Sequence, residues 1–308
     1  MIRVHVDPAF SEKLNRASVT RRCYPWDAID WSVPIDDAHL YMPEEFSFLA
    51  GTVLWERLEP PARSFVTRWE ATQTLRNVGV GEHILNQALL ALVRHTNPYD
   101  PAWRYMLHEV AEECQHMAMF NAWIRINPDI RTKGLADDRW GLVASVLTPV
   151  IATRFPVLLW LLTLLLEVAG DDLGRAQARN ESGLLHPIIE QMGRAHLTEE
   201  ARHIAFARHW VEQALPRLTR LDRRLLAEVA ERLVDGILWL GLLPLPYSRQ
   251  LERFVAHDEF HAALRSSHRR AMLRRQLAPT VESLAELGVV RPAALRRWRK
   301  AGLVARAA

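Results

Sequence analysis

Cysteine is nearly absent from this chain: Cys23 and Cys114 are the only two, far apart and outside any Cys-x-x-Cys pair. That argues against a disulfide scaffold and a thiolate metal site, and it fits free thiols in a reducing compartment. No apolar run approaches the roughly 20 residues a membrane-spanning helix needs. The best one, Val157 to Leu166, is closed by Glu167, Asp171 and Asp172, and predicts a buried core helix. The opening stretch MIRVHVDPAF lacks the apolar segment of a secretion signal, so the expected location is cytoplasmic and away from membranes. No flavin or nicotinamide motif is present, so redox chemistry here would need an external electron donor. Neither charge sign dominates: Lys and Arg total 39, Asp and Glu 36, for a formal charge of +3. Nucleic-acid binding is not expected from that balance, whereas an acidic electron-transfer partner would be tolerated.

What the chain does have is apolar content and helical punctuation. Of its 308 residues 49% are hydrophobic, which supports a sizeable core. Convincing strand alternation and Asn-Gly turns are missing, and from Ala62 onward the pattern is helical. Helices are expected over about 62–77, 81–96, 100–126, 138–153, 156–180, 183–215, 220–242, 247–276 and 291–303. Gly79 and Gly81 mark one break, Asn97-Pro98 and Asn127-Pro128 two more, and Pro216, Pro244 and Pro246 later ones. The expectation is one all-α domain over 1–308, with an irregular arm (1–61), a four-helix metal-binding bundle (62–215) and additional C-terminal helices (216–308).

Chemistry concentrates in two segments, Glu112-Glu113-Cys114-Gln115-His116 and His196-Leu197-Thr198-Glu199-Glu200-Ala201-Arg202-His203. Each holds Glu-x-x-His on a helix, where residues three apart share a face and can reach one ion. Two such pairs, with a lone carboxylate from each of two further helices, form the ligand pattern of di-iron and di-manganese bundles. Requiring equal spacing selects Glu113 with His116 and Glu200 with His203; Glu112 and Glu199 become outer acceptors or solvated neighbours. Glu167 is a candidate lone carboxylate because it interrupts an apolar helix, where a buried charge needs a cation. A buried Arg or Lys is the alternative partner. Glu82 is the other candidate, with two rivals: a helix-start glutamate favoured by the dipole, or His83 as ligand instead. His196, four before Glu200 and seven before His203, adds a third ligand to one stripe.

Other features are given bland readings. Cys114 reads as a small buried hydrophobe. His186, His209, His257, His261 and His268 read as surface or capping residues. The stretch Arg265 to Arg275 reads as a solvated helix face. Of eleven tryptophans, most are expected in the core or a lid and a few around an aromatic-substrate pocket.

The ordered set Glu82, Glu113 with His116, Glu167, and His196 with Glu200 and His203 resembles the p-aminobenzoate N-oxygenase family, the AurF-type di-iron oxygenases. The resemblance covers about residues 62–215. Glu-x-x-His pairs alone are similar to other ferritin-like di-iron proteins; His196 is the distinguishing residue. The resemblance implies a ferritin-like bundle holding two irons through these seven residues. It further implies O2 as co-substrate and oxidation of an amine, most readily an arylamine, through hydroxylamine and nitroso to nitro, as in antibiotic biosynthesis. A ferredoxin or reductase as donor and a homodimer are family expectations. A di-iron desaturase or C-hydroxylase is the alternative, and a ferritin-like iron store a more distant one.

Overall fold

A computed structural model describes residues 6–133, 139–240, 245 and 247–304 of the chain. Twelve α-helices account for most of them, and an isolated bridge between Leu40 and Leu185 is the sole sheet-like contact among the described residues. Seven helices begin with proline at their first position: α1 (Pro8–Thr20), α2 (Pro25–Ala28), α4 (Pro60–Val93), α5 (Pro101–Ile126), α7 (Pro156–Arg179), α8 (Pro187–Ala214) and α12 (Pro292–Lys300). Proline is suited there because its fixed φ matches the helix and its missing N–H would have lacked a partner anyway. The others are α3 (Val53–Arg57), α6 (Arg139–Arg154), α9 (Arg220–Leu240), α10 (His257–Ala263) and α11 (Ser267–Glu286). Asp100 and His186 cap α5 and α8 by accepting from the backbone N–H of Ala102 and Ile188. Asn180 ends α7 in the left-handed region at φ 42°.

Two helix pairs, α4 with α5 and α7 with α8, form the four-helix bundle, and α1 lies across α5 and α8. The apolar run is the first half of α7, with Val157, Leu159, Trp160, Leu161, Leu164 and Leu165 buried. No helix among the described residues is long and apolar enough to cross a membrane. Trp160, Phe206 and Trp210 pack into the core between α7 and α8, with the Trp160 and Phe206 rings 5.0 Å apart and edge-on.

Several boundaries differ from the sequence expectation. The break at Gly79 and Gly81 does not occur: α4 runs unbroken across both. Each glycine costs a helix about 1 kcal/mol relative to alanine, and packing of α4 on α5 and α6, with Phe120 of α5 3.7 Å from where a Gly79 Cβ would stand, outweighs it. The N-terminal arm is not wholly irregular, since α1 is a capped 13-residue helix. The helix expected over 247–276 is instead a 3-10 turn at Arg249–Leu251, then α10, then α11. Ser266 restarts the chain as the cap of α11, accepting from the backbone N–H of Arg269 at 3.1 Å. The break expected at Pro244 and Pro246 lies outside the described residues.

The α7–α8 pair owes its closeness to Gly193. A Cβ at that position would stand 2.7 Å from the Gln177 Cβ and 3.0 Å from the Ala178 backbone nitrogen. Gly193→Ala is therefore expected to force the helices apart and cost about 1–3 kcal/mol, read by urea denaturation. An unchanged midpoint would show that the pair has slack.

Candidate metal centre

Four helices bring seven side chains to one buried point. Glu82 comes from α4, Glu113 and His116 from α5, Glu167 from α7, and His196, Glu200 and His203 from α8. Glu82, Glu113, His116, Glu200 and His203 are nearly inaccessible, at 6%, 0%, 1%, 4% and 0%. Burying that many ionisable groups without a counter-charge is prohibitively costly.

The atoms fall into two groups. The Nδ1 of His116 lies 3.2 Å from Glu113 Oε2, 3.4 Å from Glu200 Oε1 and 3.7 Å from Glu82 Oε1. His196 Nε2 joins them, 3.1 Å from Glu200 Oε1 and 3.5 Å from Glu82 Oε1. On the other side His203 Nδ1 lies 3.2 Å from Glu113 Oε1 and 3.4 Å from Glu200 Oε2. Glu167 lies near enough to Glu200 and Glu113 to feel their charge, and it shares the cavity wall with Glu82 and His196. Glu113 and Glu200 thus each turn one oxygen to each group. Two triads, Glu82–His116–His196 and Glu113–His116–Glu200, have ligand atoms close enough to share one ion.

The fit to metal is visible in what these atoms lack. Glu82 Oε2, Glu113 Oε1, His196 Nε2, Glu200 Oε2 and His203 Nδ1 are buried and have no hydrogen-bond partner. Native interiors rarely leave such atoms orphaned, and here they face each other. Carboxylate and imidazole donors in this proportion suit divalent first-row metals such as iron or manganese.

The back of each inner histidine is held by a carboxylate from the opposite motif. His116 Nε2 donates to Glu199 Oε2 at 3.0 Å, and His203 Nε2 donates to Glu112 Oε2 at 2.9 Å. Arg202 closes the arrangement, donating to Glu112 Oε1 at 2.8 Å. Such partners fix the tautomer and aim the other ring nitrogen. Glu112 and Glu199 are therefore not solvated neighbours; they are buried at 3% and 1%. His196 has no such partner; a quarter of its side chain is open, facing a cavity.

Protonation shows the same logic. Burial disfavours charge on His116 and His196, but the facing carboxylates outweigh it and raise both rings to about 10. Burial works against ionised Glu113 and Glu200 too, yet the histidines hold both below the ordinary carboxylate range. Burial, then repulsion from Glu113, pushes Glu82 up to about 7. Burial and the neighbouring Glu200 push Glu167 well up. Protons thus occupy the place of cations. A histidine raised from 6.5 to about 10 adds stability that is complete below 6.5 and vanishes as pH passes through about 10. Chelated protein should accordingly melt at falling temperatures between those two pH values, while metal-loaded protein should not. Parallel thermal melts across that range decide it.

A cavity of about 400 Å³ opens beside the cluster, with Glu82, Glu167 and His196 in its wall. Most of the lining is apolar, from residues such as Leu75, Leu85, Phe120, Leu162 and Met192. Its volume falls in the range of small-molecule sites. Elsewhere in the wall are Glu70 and Arg269. Arg269 is only 6% exposed, and its guanidinium makes no hydrogen bond or ion pair among the described residues. Burial lowers its pKa, opposed by the charge of Glu70. Burial also raises Glu70 to about 8 despite a 2.7 Å hydrogen bond from the Phe48 N–H.

Some expectations need correcting. The arginine stretch is not all solvated, because Arg269 faces inward. Glu82 is not a helix-start residue, since α4 begins at Pro60. His83 turns away, accepting from Gln87 at 2.9 Å. Cys114 is exposed rather than buried. No tryptophan lines the cavity; Phe46 and Phe120 are its aromatic residues among those described. His186 does act as a cap, whereas His257 and His261 meet each other at 3.0 Å near the surface, with His257 edge-on to Tyr247. Arg202 and Glu70 went unnoticed in the sequence, and Arg269 was read there only as part of a solvated face. Only the i+3 step from Glu199 to Arg202 offered a signal.

Comparison with known proteins agrees with this geometry. A family profile described as "P-aminobenzoate N-oxygenase AurF" matches residues 5–288. Two mycobacterial relatives, uncharacterized proteins of Mycobacterium bovis and Mycobacterium tuberculosis, are each 32% identical over 221 residues. The match covers 68% of this chain and 62% of each relative, so the chain spans less than two thirds of their length.

Proposed function

The chain belongs to the p-aminobenzoate N-oxygenase AurF family, and from that premise we propose that it is a di-iron oxygenase that uses O2 to oxidise the nitrogen of an arylamine. Glu82, Glu113, His116, Glu167, His196, Glu200 and His203 would hold the two irons, with Glu113 and Glu200 each turning an oxygen to either group of donor atoms. The single observation carrying this reading is the set of buried, unpartnered oxygen and nitrogen atoms turned toward each other beside a cavity. When bound, the irons supply reductive activation of O2 and transfer of oxygen to nitrogen.

The remaining work falls to the chain itself. The apolar wall excludes water and packs against the substrate ring. Glu112 and Glu199 hold protons at the Nε2 atoms of His203 and His116, keeping both Nδ1 atoms free to bind metal. Arg269 favours a substrate bearing an anionic group, because a buried guanidinium without a partner gains most from a charged acceptor. The amine would then lie toward Glu82 and His196 and the anion toward Arg269.

The test is anaerobic loading with Fe(II), exposure to O2, and mass spectrometry of a panel of aryl amines with and without carboxylates. Two irons per chain by Mössbauer and metal analysis, and N-oxidised products, are expected. Products oxidised at carbon would favour a hydroxylase or desaturase, and iron uptake without turnover would favour storage. Arg269→Met should raise KM for the carboxylated amines about 10- to 100-fold, the loss of one charge-assisted bond. Neutral amines should be unaffected; equal losses on both would remove Arg269 from substrate binding.

A further inference from the structure

Reducing a di-iron centre requires electrons from outside, and one surface segment is hydrogen-bonded directly to the back of the candidate centre. The backbone N–H of Cys23, in the turn between α1 and α2, donates to Glu199 Oε1 at 3.1 Å. The other oxygen of Glu199 accepts from His116 Nε2 at 3.0 Å, and the opposite nitrogen of that ring faces Glu113 and Glu200. Two hydrogen bonds therefore link the protein surface to a candidate ligand. The corresponding route outward from His203, through Glu112, leads to Arg202, which is itself buried.

The surface around Cys23 has a distinct character. From Lys13 to Trp26 the chain carries four basic residues, Lys13, Arg16, Arg21 and Arg22, and no acidic one. All four are exposed, and their side chains make no ion pair among the described residues. Among them stand three apolar or aromatic side chains left open to solvent: Val19 at 67%, Tyr24 at 42% and Trp26 at 47%. An aromatic centre within a basic rim is the composition of a protein-binding patch, not of a neutral solvated surface. Brief redox encounters use small interfaces, and opposite charge supplies their speed more than their strength.

We propose that the α1–α2 turn, centred on Arg21, Arg22, Tyr24 and Trp26, is the docking surface for an acidic one-electron carrier protein that reduces the metal pair through Cys23, Glu199 and His116. This rests on the di-iron reading above. In each encounter the carrier is oxidised by one electron and the pair gains it; two encounters take two Fe(III) to two Fe(II). The carrier's acidic face meets Arg21, Arg22, Arg16 and Lys13, while Tyr24 and Trp26 form the dry contact. Glu199 and its proton-sharing ring form the last stretch of the route. A nucleic acid would satisfy the arginines but has no use for a path to the metals.

The experiment follows reduction of the iron-loaded full chain by a reduced plant-type [2Fe–2S] ferredoxin, an acidic carrier, in anaerobic stopped flow. Arg21→Glu with Arg22→Glu should slow the second-order rate about tenfold or more at low salt, and the gap should close toward about 1 M salt, where charges are screened within a few ångströms. Trp26→Ala should slow it at every salt concentration. Arg296→Glu with Arg299→Glu, on the equally basic α12, should leave it unchanged. Reduction by dithionite should be equal in all variants, which separates a docking defect from a damaged centre. Equal ferredoxin rates in wild type and the Arg21/Arg22 variant overturn the proposal, as does an equal loss in the α12 variant.

Titration with oxidised ferredoxin gives a second, metal-independent readout. Binding that the Arg21/Arg22 reversal abolishes supports the surface even in a chain that takes up no iron, a result that would count against the di-iron reading alone. Absence of binding to wild type, or tighter binding of single-stranded DNA than of ferredoxin, overturns it.

Discussion

On the proposed di-iron reading, Glu200→Ala is expected to bind at most one iron per chain and to lose N-oxygenation by about a thousandfold or more, the several kcal/mol that metal assistance contributes. The size of the effect follows from the position of the residue. One oxygen of Glu200 faces His116 and His196, and the other faces His203. No other side chain except Glu113 touches both groups. Its removal takes a donor from each metal at once and leaves three histidines facing too little negative charge. Metal analysis and product formation read the two losses separately. Two irons retained with unchanged turnover would mean that the bridging role lies elsewhere. Metal-free Glu200→Ala should also have a lower His203 pKa than wild type, because Glu200 is the first of the carboxylates raising it.

The second large effect is on stability. Arg202→Leu should cost about 3–5 kcal/mol, since removing one member of a buried ion pair leaves the other charge uncompensated. Arg202 is 6% exposed, bonds Glu112 at 2.8 Å and lies 3.8 Å from Glu199. It is the cation shared by the two carboxylates that hold His203 and His116. Its loss should therefore reach the metals as well, by letting both rings turn; outer partners of this kind alter metal affinity by about 10–100-fold. Urea denaturation and a competitive chelator titration measure the two consequences. A variant as stable as wild type would show that the buried carboxylates do not depend on Arg202 for their counter-charge.

The contrast between these residues shows what a sequence makes legible. The ligand stripe on α8 was readable because helical spacing converts position directly into a face, and three donors at four- and three-residue intervals have few other uses. The bundle was readable for the same reason: proline, asparagine and capping residues fall between apolar helices. Arg202 and Arg269 were not readable, because an arginine looks the same in sequence whether it meets water or a buried carboxylate. Only the crossing of α5 and α8 reveals that Glu112 serves the histidine of the other helix. The glycines of α4 misled for a physical reason. They lower local helix preference, and tertiary packing on α5 and α6 overrides it. Solvent likewise decides Cys114, whose neighbours on the stripe are buried while its own side chain points out.

The unbroken course of α4 sets a length scale. Glu70 and Glu82 stand on the same rod, twelve residues apart, so their backbones are held about 18 Å from one another. A hinge at Gly79 and Gly81 would have let the two ends of the chamber drift; a rigid rod makes it a caliper. On the proposed reading, amines would then be sorted by reach as well as by charge: too short, and one end would go unmet; too long, and the nitrogen would overshoot the centre. Gly81, whose vacant side meets nothing within 4 Å, is the natural place for evolution or design to narrow the jaws.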